Sequence, residues 1–202
     1  MLKIIGTALL TTVLVSAFWI WFYNFVPQPR PTIARSGPVV TVEPKNAPPV
    51  VVAEQVRVSP AGLAIPVVGV RPGQLTDTFT EARANGRRHD AIDIMAAEGT
   101  PVIAAADGTI EKLFFSKDGG ITIYERSPDQ KWMYYYAHLQ GYAPGLAEGQ
   151  QVKRGQVIAR VDHTGDAVAT SPHLHFAINT MAPGEHWWQG TPINPYPVLA
   201  GK

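Results

Sequence analysis

The sequence contains no cysteine. Disulfide staples and thiolate metal sites are excluded, so any metal must be held by histidine and carboxylate. A cysteine-free chain also suits an oxidising extracytoplasmic compartment. An excess of one charge is missing too: 17 Lys and Arg against 16 Asp and Glu leave a formal net charge of +1. With no strongly basic patch, nucleic acid is not an expected partner. No long stretch shows helical periodicity, and no glutamate stands in a HExxH arrangement, which removes a helix-borne zinc site.

What is present begins with an apolar run. No charged residue lies between Ile4 and Pro29, and Ile4 to Val26 ends in Phe18, Trp19, Trp21, Phe22, Tyr23 and Phe25. About twenty apolar residues span a bilayer core, and Trp and Tyr favour its interface. A cleaved signal peptide is the competing reading, with Val15-Ser16-Ala17 as its site. That site lies inside the apolar run and would leave a Trp/Phe-rich end on the mature chain. Residues 1–26 are therefore expected to form an uncleaved transmembrane anchor. Lys3 flanks one end and Arg30 and Arg35 the other, so charge does not set the orientation. Eight prolines from Pro27 to Pro60 then exclude a helix or a central strand. Residues 27–62 read as a Pro-rich linker with a reach on the order of 120 Å when extended. Plain disorder without a reach function is the other reading of that composition.

Residues 63–202 carry short β-type runs punctuated by Gly and Asp turns. They include Pro101 to Ala104, Gly108 to Leu113, Ile121 to Glu125, Trp132 to Tyr136 and Gln156 to Val161. Lys117-Asp118-Gly119-Gly120 and Ser127-Pro128-Asp129-Gln130 separate neighbours at hairpin spacing. This density of turns predicts an all-β sandwich or barrel with at most a helical turn or two.

The stretch Ser171 to Ile178 holds His173 and His175 two apart in a strand-like run, which puts both rings on one face. Two imidazoles on a wet strand face are as easily structural as functional. His89 and Asp93, four apart where a loop enters a strand, and His138, after Tyr134-Tyr135-Tyr136, are each ordinary in isolation. Their combination is more specific. A catalytic zinc site needs three protein ligands and an open position, with acid/base groups beside it. His89, Asp93, His138, His173 and His175 meet that demand in number and kind.

His89-x-x-x-Asp93, Tyr136-x-His138-Leu139 and His173-Leu174-His175-Phe176 resemble the signatures of the lysostaphin/LytM-type zinc metallopeptidases. These endopeptidases cut the peptide cross-links of bacterial peptidoglycan. Gly99 to Gly108 and Glu148 to Gln156 look like the family's two turn segments, and the resemblance covers roughly Ile65 to Pro197. It implies a compact antiparallel β-sandwich or barrel-like domain, related to the barrel-sandwich hybrid. It also implies one Zn²⁺ per chain on His89, Asp93 and His175. His138 and His173 would be the catalytic histidines that do not bind metal, with His138 preferred as general base.

There are departures and additions. Ala91 stands where the family often has glycine, which is tolerable if φ stays negative. The extra His163 reads as a rim residue, and His186, beside Trp187 and Trp188, as groove lining or packing. A groove edged by Tyr134, Tyr136, Trp187 and Trp188 would receive an extended peptide. Nothing in the sequence compels Arg57 to Gly62 to lie across that groove as a latch. An anchor, a spacer and no recognisable wall-binding module resemble the Gram-negative arrangement. The expected location is the cytoplasmic membrane with the β-domain in the periplasm, acting on direct D,D cross-links between stem peptides. Three rivals are a non-catalytic LytM-like module that activates another hydrolase, a biotinyl/lipoyl-type carrier, and a structural envelope protein. The carrier needs a modified lysine at a hairpin tip, and Lys117 is a poor match.

Overall fold

The structure is a computed structural model that describes residue 53, residues 55–83 and residues 86–202. The apolar run at 4–26 and the linker to residue 52 lie outside the described residues. Among the described residues no helix is long and apolar enough to cross a membrane.

The strands are β1 (Ile92–Met95), β2 (Pro101–Ile103), β3 (Gly108–Ser116), β4 (Gly120–Arg126), β5 (Trp132–Tyr142), β6 (Gln151–Val152), β7 (Val157–Val161), β8 (His173–Thr180) and β9 (Thr191–Ile193). They join one open antiparallel sheet of nine strands in the order β1-β8-β5-β4-β3-β6, with β7 branching from β5 to β2 and β9 pairing β8. The all-β antiparallel class is as the sequence implies. A 3-10 turn at Pro72–Gln74 and a short helix α1 at Pro195–Ala200 complete the elements among the described residues. The Asn194 side chain caps α1 by accepting from Tyr196 N, and Gly201 ends it at φ +71°.

Local chemistry sets the hairpins. In the β4–β5 turn the Asp129 carboxylate accepts from Ser127 Oγ and Lys131 N, and Gln130 adopts a φ of +64°. Gly120 opens β4 at φ +63°, where a Cβ would collide with Thr164 and Gly165. That close approach seats the β3–β4 turn against the loop that follows β7. Strand alternation sets the core. In β8, Leu174 and Phe176 are fully buried while His173 and His175 stay partly exposed on the other face. The Phe176 ring packs on Tyr136 of β5 with centroids 5.2 Å apart.

The long strand β5 is not regular. Ile121 of β4 pairs with Leu139, but Ile123 pairs with Tyr136, so β5 carries one extra residue between them. His138 sits in this bulge at φ +58°. The sequence places His138 at the end of an aromatic strand. It instead lies inside β5, which runs on to Tyr142. A bulge of this kind re-aims a side chain without ending the strand.

Arg57 to Gly62 do not lie across a groove. Ile65 N donates to Arg57 O, Ser59 N to Leu63 O, and the Arg154 guanidinium to Gly62 O. The segment folds back on the start of its own domain.

One acid is buried without a charge partner. Burial pushes the Glu125 carboxyl from 4.5 up to about 8, and the hydrogen bond from the Tyr136 hydroxyl only partly offsets this. An acid with a raised folded pKa costs stability once the unfolded chain ionises and the native state does not. Wild-type stability is thus expected to fall as pH rises from about 4.5 to about 8. Glu125→Gln should flatten that slope, read as urea midpoints between pH 4 and 8. An unchanged slope would show that Glu125 does not titrate in this window.

Candidate metal centre

Three strands and one loop bring five polar side chains to one cavity of about 400 Å³. β1 and β8 pair with Asp93 directly opposite His175, and β8 and β5 pair with His175 opposite Ala137. His175 therefore stands at the centre, Asp93 on one side and the β5 bulge on the other. His173 shares its face two residues earlier. His89 arrives from the loop before β1, turned by Asp90 at φ +55°, a conformation that Asp tolerates. Ala91 is not among the residues at positive φ, so the alanine in place of glycine is accommodated.

The donor atoms of His89, Asp93 and His175 form a tight triangle. His89 Nε2 lies 2.9 Å from Asp93 Oδ1 and 3.0 Å from His175 Nδ1, and His175 Nδ1 lies 3.4 Å from Asp93 Oδ1. His89 Nδ1 faces the Thr78 carbonyl at 2.9 Å. A carbonyl only accepts, so that nitrogen carries the proton and Nε2 points inward with a lone pair. Asp93 Oδ1 is buried and no hydrogen-bond donor reaches it. His89 Nε2, Asp93 Oδ1 and His175 Nδ1 thus face one point. A tetrahedral zinc ion with ligands at 2.0–2.2 Å would space its donors by ~3.3 Å, so this set fits zinc.

His138 and His173 sit beside the triangle, outside it. His138 Nδ1 donates to Thr164 O at 2.7 Å and His173 Nδ1 to Ser171 O at 2.8 Å. This leaves His138 Nε2 as a free acceptor, while His173 Nε2 lies 3.6 Å from Asp93 Oδ1. The two rings lie 4.9 Å apart, and His138 lies 5.6 Å from His175. Burial holds His138 below the usual histidine value and takes His175 down to about 4, so both are neutral at pH 7. For Asp93 burial acts upward, but the His175 and His89 imidazoles against it more than offset this and leave the carboxyl well below its ordinary range. Its other oxygen accepts from the Arg83 guanidinium. Arg83, Arg87, Arg88, Asp118 and Asp166 also line the cavity, and Arg87 pairs with Asp118 at 3.3 Å.

Some expected residues lie elsewhere. Tyr134 and Tyr136 are 5% and 0% exposed and belong to the core, not to a groove. The bulge shifts the side-chain alternation, so Tyr135 and not its neighbours lines the cavity with His138. Trp187 packs on Tyr124 and Phe114, and Trp188 stacks on His186 at 4.4 Å; neither lines the cavity. His163 also lies off the cavity.

Thr78 gave no sequence signal. Its carbonyl holds His89, and its hydroxyl oxygen accepts from Asp93 N at 3.0 Å. One residue thus orients two of the three donors. Thr78→Val keeps the shape and the carbonyl but leaves Asp93 N–H unpaired. Zinc affinity, read by competition with a chromophoric chelator, is expected to fall by about 10- to 100-fold. Thr78→Ser should restore it. Wild-type affinity in the valine variant would remove Thr78 from the site.

A single antiparallel sheet that gathers a His-Asp-His triangle and two further imidazoles defines a β-protein with a candidate His/Asp metal centre. Residues 87–195, more than half of the chain, match Peptidase family M23, and the chain belongs to that family. It is 34% identical over 129 residues to the L-Ala–D-Glu endopeptidase of Bacillus subtilis, covering 60% of this chain and 38% of that protein. It is 36% identical over 90 residues to the peptidoglycan DD-endopeptidase ShyC of Vibrio cholerae, covering 45% of this chain and 20% of that protein. Among solved structures it is similar to the catalytic domain of the antimicrobial peptidase lysostaphin from Staphylococcus simulans. That similarity has a TM-score of 0.53 at 30% identity, and covers 62% of this chain and 90% of that one. The aligned region is thus well under half the length of the two curated relatives.

Proposed function

We propose that the chain is a zinc-dependent endopeptidase that hydrolyses peptide cross-links of bacterial peptidoglycan. The observation that carries this is the part-buried triangle of His89 Nε2, Asp93 Oδ1 and His175 Nδ1, beside two histidines whose Nδ1 atoms are fixed on backbone carbonyls. Membership of Peptidase family M23 supports it.

His89, Asp93 and His175 would hold the ion. Bound there, Zn²⁺ supplies Lewis acidity, polarising a carbonyl and lowering the pKa of water towards 7. His138 acts as base. Its Nδ1–H is fixed on Thr164 O, so only Nε2 is available to take a proton, and burial keeps that nitrogen neutral at pH 7. His173, fixed in the same way on Ser171 O, can hydrogen-bond the developing charge on the carbonyl oxygen when protonated, or return a proton to the leaving amine. Tyr135 and Ala137 line the cavity between them. Arg83, Arg87 and Arg88 in the cavity lining suit stem peptides, which carry free carboxylates.

A direct D,D cross-link is the bond we assign. Incubation of sacculi with the zinc-loaded chain should convert cross-linked dimeric muropeptides to monomers, identified by mass spectrometry. Unchanged dimers would favour a non-catalytic module that activates another hydrolase.

We also assign residues 1–26 to a membrane anchor, 27–62 to a spacer and 63–202 to a periplasmic domain. The apolar run, the proline density and a substrate outside the membrane support this arrangement. Protease added to spheroplasts should digest the domain. Protection until the membrane is lysed would place it on the other side.

A further inference from the structure

A second cluster of the same kind lies off the cavity. Glu98 in the β1–β2 turn, Asp162 just after β7, and His163 each offer one donor atom, all within 4.8 Å of one another. His163 Nδ1 is 2.8 Å from Asp162 Oδ1 and 3.8 Å from Glu98 Oε2. Asp162 is only 9% exposed, and neither its Oδ1 nor His163 Nδ1 has a hydrogen-bond partner despite their approach. Polar atoms buried without partners are costly and call for a cause. Among the described residues five buried side-chain atoms are in this position: Ser59 Oγ, Asp93 Oδ1, Glu125 Oε1, Asp162 Oδ1 and His163 Nδ1. Three of the five belong to the two clusters. The clusters are also built alike. Arg83 ties down the outer oxygen of Asp93, and Gln140 Nε2 donates to the outer oxygen of Glu98 at 3.3 Å.

We propose that Glu98, Asp162 and His163 form a second divalent-cation site, separate from the first. One imidazole with two carboxylates suits Zn²⁺ or Mn²⁺ better than Ca²⁺, which takes oxygen throughout. Two carboxylates neutralise the ion, and water fills its remaining positions. The location gives the site a task. Asp162 N donates to His138 O at 3.0 Å, and Asp162 O accepts from His173 N at 3.3 Å. Two residues on, Thr164 O orients the His138 ring. A cation on Asp162 and Glu98 ties this loop to the β1–β2 turn and so braces the backbone behind both histidines.

The site does not depend on the proposed peptidase activity, and zinc content separates the two. The full chain is equilibrated with buffered micromolar free zinc, and bound metal is counted by mass spectrometry. The wild type is expected to hold about two equivalents, and His175→Ala and the double variant Glu98→Gln/His163→Ala about one each. Glu98 and His163 are both partly exposed, so the double variant should fold. Added zinc should raise the melting temperature of His175→Ala, and this shift should vanish when the double change is added. A wild type with about one equivalent, lost entirely in His175→Ala, would overturn the second site. A count unchanged by His175→Ala but lowered by the double variant would keep the second site and remove the first.

Discussion

His175→Ala is expected to lose an equivalent of zinc and peptide hydrolysis together, with the fold intact. His175 lies between Asp93 on β1 and Ala137 on β5, so its ring is the donor that closes the triangle. Without it, His89 and Asp93 remain as a two-donor site. If three donors share a binding free energy on the order of 10 kcal/mol, losing one costs about 3–4 kcal/mol, or several hundredfold in affinity. The fold should tolerate the change, because β8 is held in the core by Leu174 and Phe176 on its opposite face. Burial also depresses the His175 pKa, so no buried charge is lost. Zinc content, circular dichroism and cross-link cleavage measured on one preparation would separate these effects. A folded variant with wild-type zinc content would sink the ligand assignment.

His138→Ala is expected to behave in the opposite sense, keeping zinc while kcat falls on the order of 10²- to 10⁴-fold. His138 belongs to no metal cluster, and its free Nε2 faces the cavity. The pH profile carries a second signature. Burial lowers the pKa of His138, so the base stays deprotonated as pH falls through the ordinary histidine range. The acid limb of kcat/KM should therefore lie below pH 6.5, and activity should be lost only at lower pH. The same limb in a His138→Ala protein of undiminished kcat would exclude His138 as the base.

The spacing of the histidines made much of the site legible. The two-residue step from His173 to His175 placed both rings on one face, and the loop-to-strand entry at His89 and Asp93 is what the structure contains. On β5 the expected groove edge of Tyr134 and Tyr136 does not form. The bulge at His138 shifts the alternation by one residue, so these tyrosines enter the core and Tyr135 takes their place. A bulge arises from backbone pairing with β4 and leaves no mark in side-chain pattern. The carbonyls of Thr78, Thr164 and Ser171, which fix three histidine rings, were invisible for the same reason: every residue has one. His163 lies off the cavity, and the turn that brings Glu98 to it is a long-range contact, which a single sequence does not display.

The central claim, that the His89–Asp93–His175 triangle binds the zinc on which peptide hydrolysis depends, has one direct test. The chain is stripped with a chelator and incubated with purified sacculi while zinc is returned in steps and new amino groups are counted. No release from the stripped protein, rising with zinc until the first site fills and absent at every step in His175→Ala, is the predicted result. Equal release before and after stripping would contradict it.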